Sequence, residues 1–188
     1  MFEGSAHSET LGADIRALRK TRGLTLVDLA ARLGRSVGWL SQVERDLSQP
    51  SISDLRQLAA ALDVSITMLA RHDAPAGEVG YVVRSGSRRP FGSRMSGLVE
   101  ELLSPDLTDD FEMVHSTFEP GSEIGEIVTR PTQEVGYLLS GRLDLTIGDK
   151  KFTIQSGDSF RIRGEPFHWS NPYSDPAVAI WVIAPPVY

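Results

Sequence analysis

Two groups of polar residues in this chain of 188 residues have the types and spacing to do chemistry. Between positions 35 and 45 stand Arg35, Ser36, Ser41, Gln42 and Arg45. Their guanidiniums and hydroxyls suit phosphate oxygens, and the Gln42 amide donates and accepts hydrogen bonds at once. In the second half, Glu134 and His168 offer a carboxylate and an imidazole, the parts of an acid–base couple, a metal site or a polar binding pocket. The absence of cysteine excludes thiolate nucleophiles, disulfides, iron–sulfur clusters and cysteine-ligated zinc. Neither group is accompanied by a phosphate loop or a cofactor fingerprint, so no cofactor is expected.

The first group needs a short exposed helix to present it. Leu11, Ile15 and Leu18 recur at helical spacing until Gly23 interrupts. Thr25 is placed to cap a second helix with Leu26, Leu29, Ala30 and Leu33 on its apolar stripe, and Gly34 ends it. Ser36 caps a third with Leu40 and Val43 inward. After Pro50, a fourth carries Ile52, Leu55, Leu58, Ala59 and Leu62, and a short fifth follows over 65–70. Two short helices joined by Gly34-Arg35-Ser36 within a five-helix unit form the pattern of a DNA-binding helix-turn-helix. Its third helix enters a major groove, so Val37 and Gly38 and, one turn on, Ser41 and Gln42 should face base edges. Gln42 suits adenine, Val37 can touch only a thymine methyl, and Gly38 has no side chain. Thr25, Arg35, Ser36 and Arg45 stand at helix ends, where phosphates bind; for Thr25 and Ser36 plain capping is the competing role.

Charge divides the chain at the same place as composition. Residues 12–71 carry nine Lys and Arg against six Asp and Glu, whereas 78–188 carry ten against sixteen. A net charge of -6 excludes bulk coating of nucleic acid. Without an apolar run near the ~20 residues that span a bilayer, or a leader-like start, a cytoplasmic address without membrane contact is expected. The expected organisation is a flexible stretch at 1–9, a helical domain at 10–71, a linker at 72–78 and a second domain at 79–188. There the apolar period falls from 3.6 to 2. Strands are predicted over 81–84, 98–103, 111–118, 135–139, 142–147, 151–155, 159–163 and 178–183, with hairpin turns at Ser140-Gly141 and Gly148-Asp149. The fold class is thus two-domain, all-α followed by an all-β antiparallel barrel or jelly roll.

Residues 10–71 resemble the phage-repressor-like, or XRE, family through Leu29-Ala30, Gly34, Leu40-Ser41, Glu44-Arg45, Pro50-Ser51 and the run from Leu58 to Leu62. The resemblance implies a pair between Glu44 and Arg19 that positions a cation beside the DNA backbone, with a purely structural pair as the alternative. Residues 120–171 resemble the cupins, small jelly-roll β-barrels with a ligand or metal in the mouth. Gly121, Glu134 and Gly141 frame their first motif, and Gly157-Asp158-Ser159, His168 and Asn171 their second. Metal-binding cupins carry an H-x-H arrangement where this chain has Ile127 and Thr129, so no metal is expected, although His115 offers a further imidazole. By strand parity Ile127, Thr129, Glu134, Phe160, Ile162 and His168 should face inward as an effector pocket for an amine or hydroxyl compound. Trp169, Trp181 and Phe167 are expected in the core or at a subunit interface.

The order of the two parts is similar to that of cupin-containing bacterial repressors. The resemblance implies a non-enzymatic transcription regulator that binds double-stranded operator DNA as a homodimer and senses a small molecule such as an amino acid, an amine or a related metabolite. One helix-turn-helix reads too few bases to be selective, which argues for two-fold pairing. The alternatives are a metal-independent, isomerase-like cupin enzyme using Glu134 and His168 as acid and base, and a DNA-bound scaffold with a collapsed barrel.

Overall fold

The structure is a computed structural model and describes residues 10–69, 77–91, 95–105, 107 and 109–187. Positions 1–9 and residues 72–76 of the expected linker lie outside the described residues. The chain divides into two units, Met1–Gly92 with Ser104–Asp109, and Ser93–Leu103 with Asp110–Val187.

In the first unit each helix begins where a hydroxyl can satisfy an orphaned amide. Thr10 caps α1 (Leu11–Thr21) by accepting from the Ala13 N–H. Thr25 and Ser51 form capping boxes with Asp28 and Asp54 at the starts of α2 (Leu26–Leu33) and α4 (Ile52–Ala61). Ser36 caps α3 (Val37–Glu44), and α5 (Ile66–Leu69) follows α4. Gly34 stops α2 because it adopts φ of 61°, a left-handed conformation that costs other residues. The helices close over Ile15, Leu18, Leu29, Leu40, Val43, Leu58 and Leu62, all at or near zero exposure. Ile52, expected on the inner stripe of α4, is 69% exposed, because Asp54 and Leu58 take the buried face. No helix among the described residues is long and apolar enough to cross a membrane.

Residues 81–84 do not form the expected strand: Tyr81 ends a turn and 82–84 are irregular, followed by a 3-10 helix (Ser85–Ser87) and β1 (Arg89–Pro90). In the second unit β2 (Leu98–Leu102), β3 (Glu112–Phe118), β4 (Gln133–Ser140), β7 (Ser159–Arg163) and β9 (Ala177–Ala184) run antiparallel in the order β2-β3-β9-β4-β7. A second sheet has the order β6-β5-β8, from β5 (Arg142–Ile147), β6 (Lys150–Gln155) and β8 (Phe167–Ser170). The Gly148-Asp149 hairpin joins β5 to β6, with Ile147 opposite Lys150. Ser140-Gly141 is not a hairpin: β4 pairs with β7 and β9, β5 with β6 and β8, so the chain changes sheets there.

The inner faces alternate with the outer ones as the pleat demands, for example in the strict burial alternation of β3 and β9. Phe118 meets Trp169 edge to face at 4.7 Å, joining the two sheets across the interior. Gly136 is bare because the Phe160 ring crosses it; a Cβ there would lie 2.1 Å from the ring. Asn171, just after β8, is fully buried and ties loops together by donating to the Phe118 and Asp175 carbonyls and accepting from the Tyr173 N–H.

Candidate DNA-binding surface and ligand cavity

Helix α3 buries Leu40 and Val43 and turns the opposite face to solvent. Val37, Gly38 and Gln42 are exposed and Ser41 is half-buried, so the four expected base readers share an accessible side. Trp39 is half-buried beneath the Arg35 guanidinium, whose carbon sits 5.0 Å from the ring centroid. Arg35 also pairs with Asp54. The Ser51 hydroxyl, then its backbone N–H, then Arg35 hold the Asp54 carboxyl below its ordinary range. Arg45 is exposed, and its Nε donates to the Ser41 carbonyl at 3.1 Å. Ser36 Oγ accepts from the Trp39 N–H. Thr25 Oγ1 donates to Asp28 at 2.6 Å and accepts from its N–H at 3.1 Å, so its hydroxyl is committed to capping.

Beneath this surface Arg19 and Glu44 are 8% and 7% exposed. The Arg19 Nε and Nη2 grip the carboxylate at 2.6 and 2.9 Å, and Nη1 donates to the Leu24 carbonyl at 2.8 Å. The Glu44 contact raises the Arg19 pKa. The expected pair is formed, and its burial makes it an anchor for the end of α3.

A cavity of about 80 Å³ lies within the second unit. Phe118, Phe167, Trp169, Trp181 and Ile183 form its apolar wall, and Glu100, Arg130 and Glu134 its polar part. Glu134, on β4, is 1% exposed. Its Oε1 accepts from Thr132 Oγ1 at 2.7 Å and lies 3.9 Å from Arg130 Nη1. Its Oε2 is buried without a hydrogen-bond partner among the described residues. Such an oxygen costs about 1–3 kcal/mol or more when charged, which marks a place where a donor is missing.

Three residues expected in this pocket are elsewhere. His168 lies on β8, where Phe167 and Trp169 take the inner positions, so it faces outward opposite Thr146, in a groove shared with Asp144, Lys151 and Thr153. Ile127 is 72% exposed, Thr129 is exposed, and neither lines the cavity. The reason is register: Val128, not its neighbours, pairs with the inward Phe167. Residues directly opposite in an antiparallel pair share a face, so Val128 and Arg130 turn inward. Phe160 and Ile162 do face inward with Gly136 and Glu134, but pack behind the cavity wall, Phe160 against Trp181 at 4.8 Å. The residues that sequence reasoning missed are Arg130, Glu100 and the aromatic wall, whose inward side is decided by the pairings of short segments such as the four-residue β8. His115 faces outward on β3. Among the described residues no group of three or more His, Cys, Asp or Glu is placed to hold a metal ion.

A helical unit presenting an exposed second helix of a helix-turn-helix, followed by a two-sheet unit, defines the class of DNA-binding transcription regulators with an appended cupin. Residues 10–71 match the family described as "Helix-turn-helix domain", and residues 114–183 match the "Cupin domain". Over 164 residues the chain is 26% identical to the HTH-type transcriptional regulator PuuR of Escherichia coli (strain K12), covering 85% of this chain and 86% of that protein. It is 30% identical over 128 residues to the immunity repressor protein of Bacillus phage phi105, covering 67% of this chain and 89% of the phage protein. The solved structure of KdgF from Halomonas sp. shares a fold with 57% of this chain and 96% of its own, at a TM-score of 0.50 and 16% identity. The chain belongs to the XRE, phage-repressor-like family of helix-turn-helix regulators and carries a cupin domain after the DNA-binding one.

Proposed function

We propose that this regulator is a homodimeric repressor whose cupin unit, a jelly-roll barrel, senses a small cationic metabolite bearing an amine. The observation that carries this reading is the unpartnered, buried Glu134 Oε2 at a cavity walled by aromatic rings. Glu134 brings a buried carboxylate to the cavity wall, with Arg130 Nη1 3.9 Å from its Oε1 and no hydrogen bond to its Oε2 among the described residues. An ammonium donates to Oε2 and lies favourably against the faces of Phe118, Trp169 or Trp181. The volume suits a compact ligand, being well below the ~300–1,000 Å³ of drug-sized pockets. On the DNA side, Gln42 reads a base edge, Val37, Gly38 and Ser41 lie against the groove, and Arg35, Ser36, Arg45 and the α2 start at Thr25 meet phosphates. The isomerase-like alternative needs Glu134 and His168 together, and they lie on opposite sides of the smaller sheet.

The test is a panel of small amines screened by tryptophan fluorescence, followed by operator titrations with and without each hit. Wild-type protein should respond to one class of amine. Glu134→Gln keeps the size of the side chain and removes its charge, so it should lose the response and retain operator binding without ligand. A Glu134→Gln protein that responds as wild type does would overturn the reading.

A further inference from the structure

We infer that Asp46 is a positioning residue for DNA reading: its carboxylate caps the start of α1 and so fixes how the end of α3 sits in the groove. The inference rests on the DNA-binding reading of α3 above and adds a residue outside the set that meets bases or phosphates. Asp46 follows α3 at a φ of 57°, in the left-handed region that favours glycine. Its N–H donates to the Val43 carbonyl and the Leu47 N–H to the Gln42 carbonyl, both at 2.9 Å, which closes α3 in a Schellman motif. A glycine would make that turn with less strain. What the aspartate adds is an acceptor, because the Gly12 N–H, 34 residues away in the first turn of α1, donates to its Oδ1 at 3.0 Å. That amide is one of those a helix start leaves without an intrahelical partner, and Thr10 serves the next one, at Ala13.

Gly12 is buried, and a Cβ on it would lie 2.3 Å from the Val43 carbonyl oxygen. The start of α1 and the last turn of α3 therefore meet backbone to backbone. Two turns further along α1, Arg19 holds Glu44. One contact would leave the end of α3 free to pivot, whereas two contacts about 10 Å apart along α1 fix its direction. Gln42 lies inside this arrangement, since its carbonyl is the one on which Leu47 closes. Releasing Asp46 thus moves the backbone that carries Gln42 while leaving every side chain on the exposed face of α3 unchanged.

The test is a binding selection with the full chain over randomised duplexes, run on wild type and four variants. Asp46→Gly keeps the left-handed turn and deletes the acceptor. It should fold, and its preference for the selected duplex over a random one should fall by about five- to tenfold, the low end of what losing a base contact costs. Loss of the charge alone would tighten binding to every duplex and leave the preference as it was. Asp46→Asn removes the same charge but keeps an oxygen acceptor and tolerates positive φ, so it should retain the wild-type preference. Gly12→Ala disturbs the contact from the other side and should relax the same base positions as Asp46→Gly. Wild-type preference in Asp46→Gly or in Gly12→Ala, or an Asp46→Asn protein as relaxed as Asp46→Gly, overturns the inference. Gln42→Ala separates the two readings: a preference that survives Gln42→Ala but not Asp46→Gly refutes Gln42 as the reader and supports Asp46 as the residue that places α3.

Discussion

Arg19 and Glu44, 25 residues apart, form a buried two-pronged pair that ties α1 to the last turn of α3. Both side chains are buried, so the pair holds α3 in place rather than presenting a cation at the surface. Removing one partner strands the other charge inside the protein. Glu44→Ala should therefore destabilise the helical unit by about 3–5 kcal/mol. Urea denaturation followed by circular dichroism measures this; a loss under about 1 kcal/mol, the range of exposed pairs, would refute the anchoring role.

Gln42 and Arg45 should fail differently. Gln42→Ala removes an amide from the exposed side of α3 and should cost roughly 1–3 kcal/mol at one base position per half-site, relaxing specificity there. Arg45→Ala should weaken all sequences alike and reduce the salt slope by about one. A binding selection over randomised duplexes at two salt concentrations separates the two. Unchanged preference in the Gln42 variant would mean that α3 sits in another register.

The helical unit was legible because its signals are local. Thr25, Ser36 and Ser51 cap helices within three residues of themselves, and Gly34 ends one by its own φ. The strand-rich unit depends on pairings that a linear reading does not contain. Ser140-Gly141 looks the same whether the chain folds back in one sheet or crosses to the other. Strand β8 is four residues long and lies between Pro166 and Asn171, too short for periodicity to announce. The pairing of β8 with β5 decides the side of His168, and it turns Phe167 and Trp169, which the sequence places only in the core or at an interface, into a cavity wall. Glu134 was found, but its unpartnered oxygen depends on what Thr132 and Arg130 do in three dimensions.

The two capping boxes carry a pH dependence of known sign. The Thr25 hydroxyl, then its backbone N–H, depress the Asp28 pKa, and those of Ser51 do the same for Asp54, aided by Arg35. A carboxyl whose folded pKa lies below its unfolded value contributes fully above the unfolded value and loses that contribution as pH falls through the folded one. The thermal midpoint of the helical unit should thus be flat near neutrality and fall below the ordinary Asp value of 3.8. Asp28→Asn with Asp54→Asn should lower the neutral midpoint and flatten the acid limb. Melting curves at a series of pH values check this, and an acid limb unaltered in the double variant would refute it.

Val128 and Phe167 exchange both backbone hydrogen bonds, at 2.9 and 2.8 Å, and this fixes which residues look into the cavity. A zinc site of two imidazoles and one carboxylate, with an open fourth position, needs both histidines on the side of Glu134. Placing them at 127 and 129, where the cupin motif in the sequence directs, puts both side chains outside. Val128→His with Arg130→His places them two residues apart on the inward side, and also removes the guanidinium that competes for Glu134 Oε1. Calorimetric titration with zinc should then show one tight site per chain in the 128/130 double variant, abolished by adding Glu134→Gln. The 127/129 variant should bind no more zinc than wild type. Equal binding by the two double variants, or binding in the 128/130 variant that is indifferent to Glu134, would mean that the pairing of Val128 with Phe167 does not set the inward face.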